Sequence, residues 1–327
     1  MEQRVLGRTG RSVGVVGLGA WQLGADWGAV DDAQAISVLQ AAFDAGVTFI
    51  DTADVYGDGR SEQLIGRFLK TRDAAGITVA TKMGRRVALD PALYTLDNFR
   101  AWTDRSRANL GTDVLDLVQL HCPPSAVLAD DAVFDALDTL VDEQRIAAYG
   151  VSVETRTEAL TAIARPGVAT VQIILNMLRL GPLDEVLPAA ATAGVGIIAR
   201  VPLASGMLGG RYDETTQFAA DDHRTYNRHG EAFDAGETFA GVDYTTGLAA
   251  VRQLATAKPD DATMAQFALR WIIDQPGLSV VIPGARNEAQ VQGNVAAADL
   301  APVGAEALAH VRATYDELIA PLVANRW

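Results

Sequence analysis

The chain of 327 residues has a single cysteine, Cys122, so it can form no internal disulfide and no cysteine-based metal cage, which suits a reducing compartment. It lacks any run of the roughly 18–20 apolar residues that a membrane-spanning helix needs, and its first residues lack the apolar centre of a secretory signal. A cytoplasmic location is therefore expected. Positive charge is also scarce: 27 Lys and Arg face 41 Asp and Glu, a formal net charge of −14. That balance argues against nucleic acid and against an anionic membrane surface, both of which call for a basic face. An acidic protein that binds an anionic ligand must then gather arginines locally.

What is present points to one large core. Hydrophobic residues make up 49% of the chain and charged ones 21%, and a single domain over 1–327 accommodates them. Short apolar runs at 15–19, 48–51, 78–81, 115–120, 148–152, 170–174, 196–199 and 279–282 read as strands. Between them lie helical stripes such as Ile36, Leu39 and Phe43, or Val133, Leu137 and Leu140, repeating every three or four residues. Leu308, Val311 and Tyr315 form the last stripe. Eight strands alternating with helices, apolar on both faces, favour a parallel (β/α)8 barrel over a doubly wound sheet. Arg4 to Leu6 and Ser12-Val13 flank Gly7-Arg8-Thr9-Gly10, an N-terminal hairpin that closes the barrel bottom. The segment 203–243 breaks the rhythm and reads as a long loop over the C-terminal rim.

Gly17-Leu18-Gly19-Ala20-Trp21-Gln22-Leu23-Gly24 does not have the spacing of a dinucleotide fingerprint, so a doubly wound dinucleotide fold is disfavoured. The strand ends carry more. Asp51 ends the second strand with Tyr56 just beyond, Lys82 ends the third and His121 the fourth. In a barrel these ends share one rim. Reduction of a carbonyl needs an acid for its oxygen as hydride reaches carbon, and a tyrosine serves if a neighbouring cation lowers its pKa. Lys82 supplies that cation for Tyr56, Asp51 fixes the lysine, and His121 orients the carbonyl. Singly, each residue also fits a cap, a packing tyrosine, a solvated lysine or a core histidine.

With these motifs in order, the chain resembles an aldo-keto reductase over almost its whole length. The likeness runs from Gly17-Leu18-Gly19-Ala20-Trp21 through Asp51-Thr52-Ala53, Tyr56-Gly57 and Ser61-Glu62 to Ile282-Pro283-Gly284-Ala285-Arg286 and Asn294. The resemblance implies Tyr56 as general acid/base, Lys82 and Asp51 as its tuning pair, His121 as substrate-orienting group, and NADPH lying extended across the rim near Gly19 and Trp21. It further implies that Ser152 and Gln172 hold the nicotinamide carboxamide. The stretch from Arg200 through Pro202, Leu203, Ser205 and Gly206 to Arg211 resembles the segment that covers the pyrophosphate, with Arg224 either closing over the cofactor or lying in solvent.

Gly284 and Arg286 follow the last strand, where many barrels hold a phosphate. Arg286 is expected on the 2′-phosphate of the adenosine, which makes NADPH a better expectation than NADH. Gln290 and Asn294, four apart on the next helix, are expected at the adenine. Two positions depart from the family pattern: Val153, where many relatives have an asparagine or a basic residue, and Gly293, where many have a glutamate. Cys122 lines the pocket or packs inertly. The substrate expected is a small carbonyl compound or alcohol resting against Trp21, Tyr56 and His121. A nucleotide sensor resembling potassium-channel β subunits, or a barrel enzyme that binds a phosphorylated metabolite at Gly284 to Arg286, are the rival readings.

Overall fold

A strand turns successive side chains to opposite faces, so residues two apart share a face. In the computed structural model, which describes residues 1–24, 30–324 and 326, this alternation positions the site. The N-terminal hairpin pairs β1 (Gln3–Val5) with β2 (Ser12–Gly14) in antiparallel register. Eight strands follow: β3 (Leu18–Gly19), β4 (Phe49–Asp51), β5 (Thr78–Met83), β6 (Leu117–His121), β7 (Tyr149–Ser152), β8 (Val168–Ile174), β9 (Gly196–Arg200) and β10 (Leu278–Val281). They lie side by side in chain order, every neighbouring pair parallel.

The ring closes where Val16 bridges Val281 and Gly19 bridges Gly284. There the Gly17 and Gly19 amides donate to the Val281 and Pro283 carbonyls at 2.9 and 3.0 Å. A Cβ at Gly19 would lie 2.8 Å from the Ile282 carbonyl oxygen, so this seam requires glycine. The architecture is the (β/α)8 barrel expected from the eight apolar runs, and each strand lies within a few residues of its expected span.

Helices cover the outside, several of them started by the capping residues just before them. The Asp31 carboxylate accepts from the Gln34 amide ahead of Asp32–Asp44, and Thr155 with Glu158 and Thr263 with Gln266 form reciprocal capping boxes. The expected stripes are largely buried or half-buried. Leu308 departs from this: it is 38% exposed, because the buried face of Ala305–Thr314 runs through Val311 and Thr314 to Tyr315 and leaves Leu308 at its margin. Among the described residues no helix is long and apolar enough to cross a membrane.

Inside the barrel, Phe49, Ala80, Leu117, Ile198 and Val280 pack with Leu6 and Val13 of the hairpin end. Burying each large side chain contributes roughly 1.5–3 kcal/mol. Two residues further along four of the same strands, on the same inner face, stand Asp51, Lys82, Gln119 and Arg200. The bottom of the barrel is thus an apolar plug and its top a ring of polar groups.

Segment 203–243 is more ordered than a plain loop. It holds short helical turns at Ala204–Gly209, His223–Tyr226, Ala235–Glu237 and Phe239–Gly241. The His223 and Phe233 rings lie 5.1 and 5.8 Å from the Trp21 ring, which fastens the segment across the rim.

Candidate active site

The strand ends bring the four expected residues together. Lys82 Nζ lies 2.5 Å from Asp51 Oδ1, 3.2 Å from the Tyr56 hydroxyl and 2.9 Å from the Thr52 carbonyl. Asp51 Oδ2 accepts from Gln172 Nε2 at 2.7 Å and from Gln119 Nε2 at 3.3 Å. The buried carboxylate is therefore fully engaged, as a charge out of water must be. Tyr56 arrives on the turn after β4, where Gly57 has φ 58° and Gly59 φ 97°. Its ring stands nearly perpendicular to that of His121 at 5.9 Å and stacks on Trp21 at 6.0 Å.

The expected lowering of the Tyr56 pKa is corrected here. Burial raises it above the ordinary phenol range, and Lys82 only partly offsets that rise. The phenol accordingly keeps its proton at neutral pH. For Lys82, burial works against the charged form, but Asp51 and Tyr56 overcome it and hold the ammonium protonated. Burial, followed by the nearby Arg85, Lys82 and Arg200 charges, pulls His121 well below the usual imidazole range, so the ring is neutral.

A cleft of about 650 Å³ runs from these residues across the rim. All the expected site residues border it except Lys82, which is 1% exposed and lies behind Tyr56 and Asp51. Gly19, Trp21, Ser152, Gln172 and Pro202 line its inner part, and Gly206, Arg211, Gly284, Arg286, Gln290 and Asn294 continue it outward. Gln290 Oε1 accepts from the Arg286 amide at 2.8 Å, and Asn294 Nδ2 donates to the Gly284 carbonyl at 3.2 Å. These two side chains brace the turn after β10. The Arg211 and Arg286 guanidiniums make no ion pair or hydrogen bond among the described residues.

Three expected contacts have other duties. Arg200 borders the cleft, yet its guanidinium pairs with Glu154 at 2.6 Å and Glu237 at 3.4 Å. The Ser205 hydroxyl donates to the Glu237 carbonyl at 2.8 Å and accepts from the Phe239 amide at 3.2 Å, tying the long segment together. Arg224 is buried and clamps Asp222 and the Tyr212 hydroxyl, so it is not a solvated arginine. Leu203 lines the cleft beside Val201, Ala204 and Ser205, three non-glycine residues with φ of 50°, 46° and 56°. Of the two departures, Gly293 borders the cleft, whereas Val153 is buried and its carbonyl accepts from Arg200 at 3.1 Å. Cys122 does not border the cleft, and burial raises its thiol pKa, as inert packing requires.

Sequence reasoning missed Gln119, Arg85, Glu154 and Glu237. Gln119 was findable, since it is two residues before His121 on one strand and shares its face. The other three depend on loop geometry. Arg85 Nη1 lies 3.1 Å from Glu237 Oε1 and 3.5 Å from His121 Nε2.

A closed parallel barrel whose rim joins a buried lysine–carboxylate pair to a protonated tyrosine and a neutral histidine defines a class of barrel equipped for proton transfer. Residues 15–316 match the Aldo/keto reductase family. An uncharacterized oxidoreductase of Mycobacterium tuberculosis is 33% identical over 297 residues, covering 87% of this chain and 84% of that protein. A probable voltage-gated potassium channel subunit beta of Arabidopsis thaliana is 28% identical over 319 residues, covering 93% of each. Among solved structures, an aldo-keto reductase from Klebsiella pneumoniae in complex with NADPH superimposes with a TM-score of 0.72 at 25% identity, covering 96% of each chain. This chain belongs to the aldo/keto reductase family.

Proposed function

We propose that the protein is a single-domain cytoplasmic enzyme that moves a hydride between NADP(H) and an aldehyde or ketone, or the corresponding alcohol. The observation that carries this reading is Lys82 Nζ between Asp51 and the Tyr56 hydroxyl, at 2.5 and 3.2 Å, just behind the floor of a cleft that Asp51, Tyr56 and neutral His121 border. A carbonyl oxygen placed between Tyr56 and His121 accepts a hydrogen bond from each. Tyr56 then transfers its proton to that oxygen, and the phenolate left behind is held by the Lys82 ammonium until it is reprotonated. Asp51 keeps Lys82 in place and balances its charge.

The residues present fit a phosphorylated dinucleotide. Among the described residues Arg286 and Arg211 are unengaged cations on the outer arm of the cleft, where Gly284 also borders it and the Gln22 side chain packs against the Gly284 backbone. When bound, the nicotinamide supplies or takes up the hydride. Ser152 and Gln172 are suited to hold its carboxamide, Arg286 the 2′-phosphate, Gln290 and Asn294 the adenine. Trp21 gives the substrate an apolar wall.

The test is oxidation of NADPH and of NADH, followed by absorbance, across a panel of small aldehydes and ketones. Turnover with preference for NADPH is expected. Tight NADPH binding without turnover of any carbonyl would favour a nucleotide sensor of the kind suggested by the potassium-channel relative.

A further inference from the structure

Beside the proposed carbonyl position the protein builds a charge quartet. Arg85 and Arg200 face Glu237 at 3.1 and 3.4 Å, and Arg200 also meets Glu154 at 2.6 Å. Two guanidiniums thus meet two carboxylates. The adjoining charged groups cancel as well, since Lys82 is matched by Asp51 and His121 is neutral. Glu237 and Arg200 border the cleft and Arg85 does not; Glu154 already matches Arg200, which leaves the Glu237 carboxylate facing the cleft with its own counter-charge, Arg85, behind it. Its Oε1 takes both arginines, and Oε2 accepts no hydrogen bond among the described residues. The position is held firmly: the Glu237 carbonyl is tied to Ser205, and Glu237 is 7% exposed.

On the reading of the protein as a carbonyl reductase, we infer that Glu237 selects substrates by charge, excluding carbonyl compounds that bear a carboxylate and admitting neutral ones whose hydroxyl groups can donate to it. A substrate carboxylate would meet Glu237 at close range in a site shielded from water, where like charges are costly. Without the Glu237 charge, Arg85 keeps no carboxylate partner and becomes an anion site next to His121, while Arg200 keeps Glu154.

The test compares succinic semialdehyde with its neutral methyl ester in the wild type, Glu237→Gln and the double variant Arg85→Gln/Glu237→Gln. The wild type is expected to favour the ester in kcat/KM by about tenfold or more. Glu237→Gln, which keeps the side chain's shape, shifts that ratio toward the acid by about tenfold, and the double variant reverses the shift. A ratio unchanged by Glu237→Gln overturns the inference. Binding of succinate, measured calorimetrically without cofactor turnover, reads the same selection separately: about tenfold tighter binding to Glu237→Gln than to the wild type or the double variant supports it, and equal binding refutes it. Absence of turnover on any carbonyl together with the succinate difference would sink the reductase reading and leave the charge selection standing. Thermal melts of the three proteins show whether each is folded.

Discussion

Among the described residues, Lys82, Arg85 and Arg200 at the centre of the barrel each have an anion, whereas two arginines along the outer arm of the cleft have none. Lys82, Arg85 and Arg200 lie within 4 Å of Asp51, Glu237 and Glu154, and all three cations are largely buried. Arg211 is exposed and Arg286 half-buried, and neither is matched among the described residues. The difference teaches what each region is for. A buried charge must be paired within the protein because nothing else will stabilise it, while a cation at the mouth of a cleft can wait in water for an anionic ligand.

The strongest way to break this contrast is to unpair the centre. Lys82→Met leaves the Asp51 carboxylate buried without its cation and is expected to lower stability by about 3–5 kcal/mol, read from the denaturant midpoint. An unchanged midpoint would show that the pair is not what satisfies Asp51. A second probe lies just behind the pair, where Asp54 is 2% exposed and its Oδ1 finds no hydrogen-bond partner among the described residues. Burial, with the Glu62 charge adding to it, raises the Asp54 pKa to about 7. A carboxyl whose folded-state pKa is raised favours the native state at low pH, and that contribution is lost as pH climbs from about 4 to about 7. Asp54→Asn removes the titration, so its stability relative to wild type should rise by on the order of 4 kcal/mol between pH 4 and pH 8. A constant difference would mean that the acid is ionised throughout.

Smaller effects sharpen the functional half. Tyr56→Phe keeps the ring stacked on Trp21 and removes the transferable proton; turnover should fall by a factor on the order of 10² or more with NADPH affinity nearly unchanged. Equal activity would remove Tyr56 from the mechanism. At the outer arm, Arg286→Ala should weaken NADPH binding by about tenfold or more while leaving NADH binding nearly unaffected, since only the phosphorylated coenzyme offers it an anion. Equal losses for both coenzymes would place Arg286 elsewhere than at the 2′-phosphate.

Much of this was legible in the chain. Short doubly apolar runs at regular spacing gave the strands, and Asp51, Lys82 and His121 stood at their ends, where a barrel gathers them. Tyr56 could be placed because only four residues separate it from Asp51. The sign of its pKa shift could not, since a pattern of residues reveals a neighbouring lysine but not the depth of burial that outweighs it. Nor could sequence tell that Arg200 is committed to two carboxylates while Arg286 is not, although one arginine ends a strand and the other follows one closely.

Periodicity alone determined the strands, the helices and the face each one buries, because a side chain's face along a strand is fixed by counting in twos and a helix's by counting in threes and fours, while closure of the ring is a tertiary fact. Glu237 shows what counting cannot reach. It lies in an aperiodic segment more than a hundred residues from Arg85 and His121, and only the folding of that segment across the rim brings its carboxylate to them. Which charges cancel is a matter of distance through space, and that distance is set by the closed ring and the path of the segment above it.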